Sequence, residues 1–257
     1  MLLFRWVGQR RKIVDLKDIC KDESIFLLGG HPSLKDENLD LFKKYGITTM
    51  AMNNTATIVK PDYWVCADPP NCYSKSLEKD PSITKFARLN YTNNLIEGKM
   101  WKDYPSTYFY GSTDHIKFHD FLDDHRQCAW WKNIFVIALQ LCYHMGFRKI
   151  YTVGCSFNIN KDQQYAYKTN LDDGQIKYNV ATYNMVIDQI KQCVPHMKKK
   201  ELEIISCTPN SKLDDLFPSM SLDSAIETVL KNYPDHDTIS SKHSSEFRQE
   251  REKEGGR

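Results

Sequence analysis

Short apolar runs alternate along this chain with longer stretches of helical periodicity, and most of the runs stop at a glycine or a polar pair. Phe26-Leu-Leu28 stops at Gly29-Gly30, and Ile47-Thr-Thr-Met-Ala-Met52 at Asn53-Asn54. Tyr63-Trp-Val-Cys-Ala67 stops at Asp68-Pro69-Pro70-Asn71, Lys149-Ile-Tyr-Thr-Val153 at Gly154, and Glu203-Ile-Ile-Ser-Cys207 at Thr208-Pro-Asn-Ser211. Lys85-Phe-Ala-Arg-Leu89 and Thr107-Tyr-Phe-Tyr110 are two more such runs. Apolar runs this short, bounded by turn residues, predict buried strands. Between them, helical spacing predicts helices over residues 37–44, with Gly46 as a C-terminal signal, and over 73–77. A longer apolar helix is predicted over 131–144, closed by Gly146. Another is predicted over 178–198, where Val180, Tyr183, Val186, Ile187, Ile190 and Val194 recur near helical spacing, with short helices reaching about residue 232.

Strands alternating with helices predict an α/β fold, a single Rossmann-like domain whose mostly parallel sheet carries helices on both faces. Ligands of such sheets bind beyond the carboxyl ends of the strands. Those ends are Gly29-Gly30-His31, Asn53-Asn54, Asp68-Pro69-Pro70, Gly154-Cys155-Ser156 and Thr208-Pro209-Asn210. All are polar or glycine-rich, which suits one continuous ligand crevice.

Composition changes this picture little. A chain of 257 residues with 41% hydrophobic and 26% charged residues is ordinary for a globular α/β protein. A net charge of +2 is too small to argue for a nucleic-acid partner. No apolar run approaches the roughly 18–20 residues that span a bilayer, so no integral membrane segment is expected. Met1-Leu-Leu-Phe-Arg-Trp-Val7 is interrupted by Arg5 and followed by Arg10-Arg11-Lys12, the wrong order for a secretory signal. Residues 1–22 are expected to form a basic amphipathic segment, a helix packed on the domain, with residues 1–12 available for contact with a membrane surface or a partner. Residues 23–232 would form the α/β domain. Residues 233–257, polar, charged and nearly without apolar anchors, are expected as a disordered tail. The eight cysteines form no C-x-x-C, and Cys66, Cys142, Cys155 and Cys207 lie in apolar surroundings. That usage fits buried free thiols and a reducing, cytoplasmic compartment.

The stretch richest in candidate chemistry is Gly29-Gly30-His31-Pro32-Ser33. A strand, a glycine turn and a helix in that order is a common way to hold a phosphate on backbone N–H groups, although this loop is neither G-x-G-x-x-G nor a Walker loop. Asp114-His115 and His119-Asp120 place two histidines four apart without a third ligand nearby, which reads as a surface loop or a helix start before it reads as a metal site. His125-Arg126, just ahead of Trp130-Trp131, would contact an acceptor or a phosphate if it reached the crevice, while the tryptophans read first as core. Leu171-Asp-Asp-Gly174 reads equally as a polar turn or a Mg²⁺ ligand pair. Lys198-Lys-Lys200 reads as a helix end favoured by the dipole.

Several of these stretches, in order, resemble one family. Leu28-Gly-Gly-His-Pro-Ser-Leu34 is similar to the Gly-Asn-Gly-Pro-Ser-Leu loop of bacterial sialyltransferases of Rossmann-like, GT-A type fold. Met52-Asn53-Asn54 matches their Cys-Asn-Gln strand end, and Asp68-Pro69 their Asn-Pro. The stretch Gly146-Phe-Arg-Lys-Ile-Tyr-Thr-Val-Gly-Cys-Ser-Phe157 resembles their Gly-Tyr-Lys-Glu-Ile-Tyr-Leu-Ser-Gly-Ile-Asp-Phe. Tyr165-Ala-Tyr167 resembles their Tyr-Ala-Phe, and Cys207-Thr-Pro-Asn-Ser211 their Cys-Pro-Asn-Ser. The matches run from about residue 26 to residue 211. The same framework also looks like the broader group that contains a pterin pyrophosphokinase-like domain.

The resemblance implies a glycosyltransferase-like enzyme that takes a sugar from a nucleotide-activated donor, with no required cofactor, to an acceptor that is a glycan, a lipid-linked saccharide or a modified nucleic-acid base. It implies nucleotide contacts from Gly29, Gly30, Pro32, Ser33, Asn53, Asn54, Ser156, Thr208 and Asn210, with Tyr165 bonding the leaving phosphate. The chain departs from the family in three places. No histidine occurs over residues 168–194, where the family carries its catalytic one. Ser156 stands for the family's aspartate, and Asn158 for its second phosphate-contacting tyrosine. Another base must therefore take the acceptor proton, with Asp68, His31 and then Asp172 or Asp173 as candidates. Mg²⁺-dependent pyrophosphoryl or phosphoryl transfer to a small heterocycle or nucleotide is the alternative, using Asp68 or Asp172-Asp173 as metal ligands. A nucleotide-binding module without chemistry is the third reading.

Overall fold

The computed structural model describes residues 1–21, 23–162 and 164–232, so the tail expected over 233–257 lies outside the described residues. In chain order, β1 (Leu3–Val7) and β2 (Arg10–Val14) are followed by β3 (Ser24–Leu28), β4 (Thr49–Met52), β5 (Tyr63–Val65) and β6 (Thr84–Arg88). Then come β7 (Leu95–Ile96), β8 (Lys99–Met100), β9 (Thr107–Tyr110), β10 (Ser112–Thr113), β11 (Cys128–Ala129), β12 (Lys149–Val153) and β13 (Glu203–Ser206). The α-helices are α1 (Asp40–Lys44), α2 (Lys75–Lys79), α3 (Ile134–His144), α4 (Asp173–Lys199) and α5 (Leu222–Asn232).

Nine strands form the main sheet in the order β13-β12-β3-β4-β5-β6-β9-β1-β2. Every pairing from β13 to β9 is parallel, whereas β1 joins β9 and β2 joins β1 antiparallel. The result is an α/β domain with a mostly parallel, Rossmann-like sheet. Its central strands are apolar at successive positions because both faces are covered. In β3, Ile25 and Leu27 enter a core shared with Ile137 and Leu141 of α3 and Val186 and Ile190 of α4. Phe26 and Leu28 enter the opposite core with Phe42 of α1, Leu77 of α2, and Ala225 and Ile226 of α5. Phe26 is in register with Tyr151 of β12, and the two rings stack at 4.8 Å.

The amino-terminal segment corrects one expectation. Instead of a helix, residues 3–14 make a hairpin that extends the sheet, turning at Gly8-Gln9 with Gly8 at φ +58°. A two-residue loop led by a glycine is a hairpin signal, since glycine enters that region without a Cβ penalty. Phe4 and Trp6 explain why a strand forms here: Trp6 packs edge-on against Phe109 of β9 at 5.4 Å, and Arg11 lies over the Phe4 ring at 4.8 Å. The first four α-helices all differ by a few residues from their sequence patterns, α1 and α4 at their amino ends with a visible cause. The segment from Pro32 to Asp36 is a 3₁₀ turn ahead of the short α1, and α4 begins at Asp173, where Asp172 and Gln175 form a capping box. Cys66, Cys142, Cys155 and Cys207 are buried free thiols, and Cys72 is exposed. Among the described residues, no helix is long and apolar enough to cross a membrane.

Candidate functional site

From β3 the sheet grows one way through β4, β5, β6 and β9, and the other way through β12 and β13. The carboxyl ends of β3 and β12 are therefore the point where the connections reverse direction, the place where open α/β sheets leave a crevice. A cavity open to solvent lies there, lined by Gly29 and Gly30 after β3, Met52, Asn53 and Thr55 at the end of β4, and Gly154 to Asn158 after β12. Asn133, Ile134 and Phe135 at the start of α3 close one side, and Gln164, Tyr165, Tyr167 and Tyr183 close another. Among the described residues that line it, none is a lysine, arginine, aspartate or glutamate. The cavity offers amides, hydroxyls, a single imidazole and aromatic faces.

The two glycines after β3 have specific partners. A Cβ on Gly29 would lie 2.4 Å from the carbonyl oxygen of Gly154, and one on Gly154 would lie 2.6 Å from that of Gly29. This mutual approach locks β3 to β12 at the mouth of the cavity. Gly30 lies beneath two tyrosines: its Cβ would meet Tyr167 at 2.9 Å and Tyr165 at 3.1 Å. Tyr165 and Tyr167 stack at 5.0 Å, and the Ala166 N–H between them donates to the Gly30 carbonyl at 2.8 Å. Three of the loop's backbone donors are used internally. The Gly29 N–H donates to Val153 O, the His31 N–H to Gly154 O, and the Ser33 N–H to the His31 ring.

Each remaining side chain has a defined part. Tyr73 accepts hydrogen bonds from the N–H groups of Ala67 and Asp68 and donates to Asn53 Oδ1 at 3.0 Å, which leaves Asn53 Nδ2 as a donor. Asn53 itself sits at φ +50°, a left-handed conformation that asparagine tolerates. Phe157 is held at φ +56° by edge-on contacts with Phe135 and Tyr183. A bulky residue in that region costs on the order of 1–2 kcal/mol, and such strain concentrates at functional sites. The Tyr165 hydroxyl pairs with that of Tyr183 at 2.7 Å, and Asn179 donates to it at 3.4 Å. Burial raises the Tyr165, Tyr167 and Tyr183 phenols above their ordinary range, so all three are neutral. Burial lowers the His31 pKa, keeping it neutral as well. Because the Ser33 N–H donates to His31 Nδ1, the ring proton belongs on Nε2. His31 therefore presents a donor, which is the wrong polarity for a general base at that atom.

Of the sequence-predicted residues, the structure brings Gly29, Gly30, His31, Asn53, Ser156 and Tyr165 together in the cavity lining. Ser156 is nearly fully buried, and its hydroxyl accepts from the Asn158 N–H. Pro32 and Ser33 turn away into the 3₁₀ segment. Asn54 donates to Cys72 O, Thr208 Oγ1 accepts from the Cys155 N–H, and the Asn210 carbonyl accepts from Asn158 Nδ2; none of the three lines the cavity. Asp68 is exposed beside it, at the end of β5, with Oδ2 3.3 Å from the Tyr73 hydroxyl. His125 and Arg126 do not reach the crevice. They line a separate hollow with Met1, Lys17, Asp124 and His144. Trp131 is core, packed edge-on against Phe118 at 4.8 Å. His115 and His119 lie in an exposed loop, and among the described residues no three metal-ligating side chains converge. Asp172 is committed to its helix cap, and Asp173 pairs with Lys161 at 3.3 Å.

The residues missed in the sequence include those delivered by or beside helices, Asn133, Phe135 and Tyr183 from α4, and loop residues such as Thr55 and Gln164. A signal for Asn133 was present, an asparagine immediately before an apolar helical run. Comparison with protein-family models, curated proteins and solved structures finds no match to this chain.

Proposed function

We propose that this protein is a glycosyltransferase-like enzyme that binds a nucleotide-activated sugar in the cavity between β3 and β12 and transfers the sugar to an acceptor entering past Asp68. One observation carries the reading: an uncharged, aromatic and amide-lined cavity lies at the switch point of a parallel sheet. Stacked tyrosines and phenylalanines suit the planar base or a sugar face, and Asn53 Nδ2 suits a carbonyl acceptor on either. Asp68 is the carboxylate placed to take a proton from an acceptor, since it stands at the crevice edge and His31 carries its proton toward the cavity. The motif resemblance supports the same class of reaction. Pyrophosphoryl transfer would need carboxylates around the phosphates to hold Mg²⁺, and the cavity lining supplies none.

A thermal-shift panel of nucleotides and nucleotide sugars tests the proposal, using wild type and Asn53→Asp. The substitution keeps the acceptor for Tyr73, removes the Nδ2 donor and adds a carboxylate charge that also repels an anionic ligand. Ligand binding raises the melting temperature by linkage. We expect a nucleotide sugar to stabilise the wild type without added metal, and the shift to shrink at least by half in the variant. A panel in which no nucleotide or nucleotide sugar shifts the wild type would sink the reading.

A further inference from the structure

Most backbone donors of the residues that resemble a phosphate loop are occupied with holding the fold, and a further set of donors lies across the cavity from them. The N–H groups of Gly29, His31 and Ser33 are all bonded within the protein. Among the described residues no lysine or arginine lines the cavity, so there an anionic group meets neutral dipoles. Beside Asn53 Nδ2 and the His31 ring, the first turn of α3 gathers several such dipoles. The helix has 11 residues, and its Ile134 and Phe135 line the cavity. Asn133 caps it: Oδ1 accepts from the Phe135 N–H at 2.7 Å, which fixes the amide orientation and leaves Nδ2 as a donor. Asn133 is only 9% exposed, it lines the cavity, and its Nδ2 has no partner among the described residues. An amide donor fixed in this way at a cavity wall is available to an acceptor on a ligand. The same turn carries the unpaired helix N–H groups and the positive end of the helix dipole.

We infer that the phosphate of the bound nucleotide sits at the first turn of α3, held by Asn133 Nδ2 and the Ile134 N–H, and not at the Gly29–Ser33 loop. The inference rests on the nucleotide-binding reading of this cavity. It assigns the two sides different tasks. The glycine side and the tyrosines shape the slot for the uncharged ring, and α3 neutralises the phosphate.

The test is calorimetric titration of the four common ribonucleosides and their 5′-mono- and diphosphates into wild type, Asn133→Asp, Asn133→Ser and Ser33→Ala. Aspartate and serine both cap helices well, so the fold is retained while the amide donor is lost; aspartate also adds a repelling charge. We expect the phosphorylated form of the preferred nucleoside to bind wild type more tightly than the nucleoside. Asn133→Asp should weaken the phosphorylated form at least tenfold and Asn133→Ser by a smaller factor, with nucleoside affinity held within about twofold. Loss of phosphate affinity in Ser33→Ala with none in the Asn133 variants would overturn the inference and return the phosphate to the loop. Equal loss of nucleoside and nucleotide affinity in both Asn133 variants would overturn it too, as damage to the whole cavity. No binding of any probe by wild type would remove the nucleotide reading itself, a result distinct from either of those.

Discussion

Gly29 and Gly98 show how differently two glycines can matter. Gly98 takes φ +82° in the turn between β7 and β8, where an added Cβ would meet nothing within 4 Å. Gly29 has no such backbone requirement, but its Cβ would press on the Gly154 carbonyl and on Cys155 Sγ, at 2.4 and 2.7 Å. Neither neighbour is a flexible side-chain tip. Gly29→Ala should therefore destabilise by about 2–3 kcal/mol through overpacking, and Gly98→Ala by about 1 kcal/mol through backbone strain. Urea unfolding of both variants checks the order; equal costs would mean that the seam between β3 and β12 yields. At this scale the sequence was informative about where the site lies and misleading about how its residues work. Gly29-Gly30 reads as a loop opened for a ligand, yet the close approaches there are made by Gly154, Tyr165 and Tyr167. Nothing local in the sequence could show that, because each partner lies more than a hundred positions away.

Among the elements, α4 is the least evenly supported. It spans 27 residues, yet the first fully buried one is Val186. Its opening turns carry exposed Tyr178 and Val180, and they depend on the Asp172–Gln175 capping box. Losing a cap of this kind costs about 1 kcal/mol. Asp172→Ala should accordingly speed amide hydrogen exchange about fivefold over the first three turns of α4 and leave the turns around Ile190 unchanged. Uniform acceleration along the helix would show instead that α4 opens as one unit. The helical spacing of its apolar positions predicted this element from residue 178, because hydrophobic periodicity reports only the stretch that packs. The exposed opening turns are marked by capping chemistry alone. The amino-terminal hairpin went unread for a related reason: Arg10-Arg11-Lys12 suggested a basic helix, while the glycine-led turn before it carried the correct signal.

For the molecule as a whole, alternating strands and helices made the fold class legible, but not the order in which the strands join. That order depends on which helix covers which face, and it puts the reversal between β3 and β12. Global stability also carries a pH signature from one buried carboxyl group. Glu78 of α2 is wholly buried, with both carboxyl oxygens lacking a hydrogen-bond partner. Burial raises its pKa from 4.5 to about 7; Glu97 adds to the rise, and Lys75, Lys79 and Lys85 oppose it. The folded protein thus keeps a proton that the unfolded chain releases near pH 4.5, and stability falls as pH rises from about 4.5 to about 7. A shift of that size corresponds to roughly 3 kcal/mol, fully lost above the folded pKa. Glu78→Gln should match wild type near pH 5 and exceed it by up to roughly 3 kcal/mol at pH 8. Denaturation curves at the two pH values decide it, and a constant difference between the proteins would show that Glu78 does not titrate in this range.

The hairpin that ends the sheet has a consequence for solution behaviour. Among the described residues, β2 has a sheet neighbour on one side only, and its other side presents a ladder of backbone donors and acceptors. Such a ladder is a template on which further chains can stack. Its strand reads Arg10-Arg11-Lys12-Ile13-Val14, with the three cations exposed. Two copies meeting edge to edge would set like charges against one another before their main chains could pair. The strand that ends the sheet on this side also carries the charge that discourages edge-to-edge stacking there.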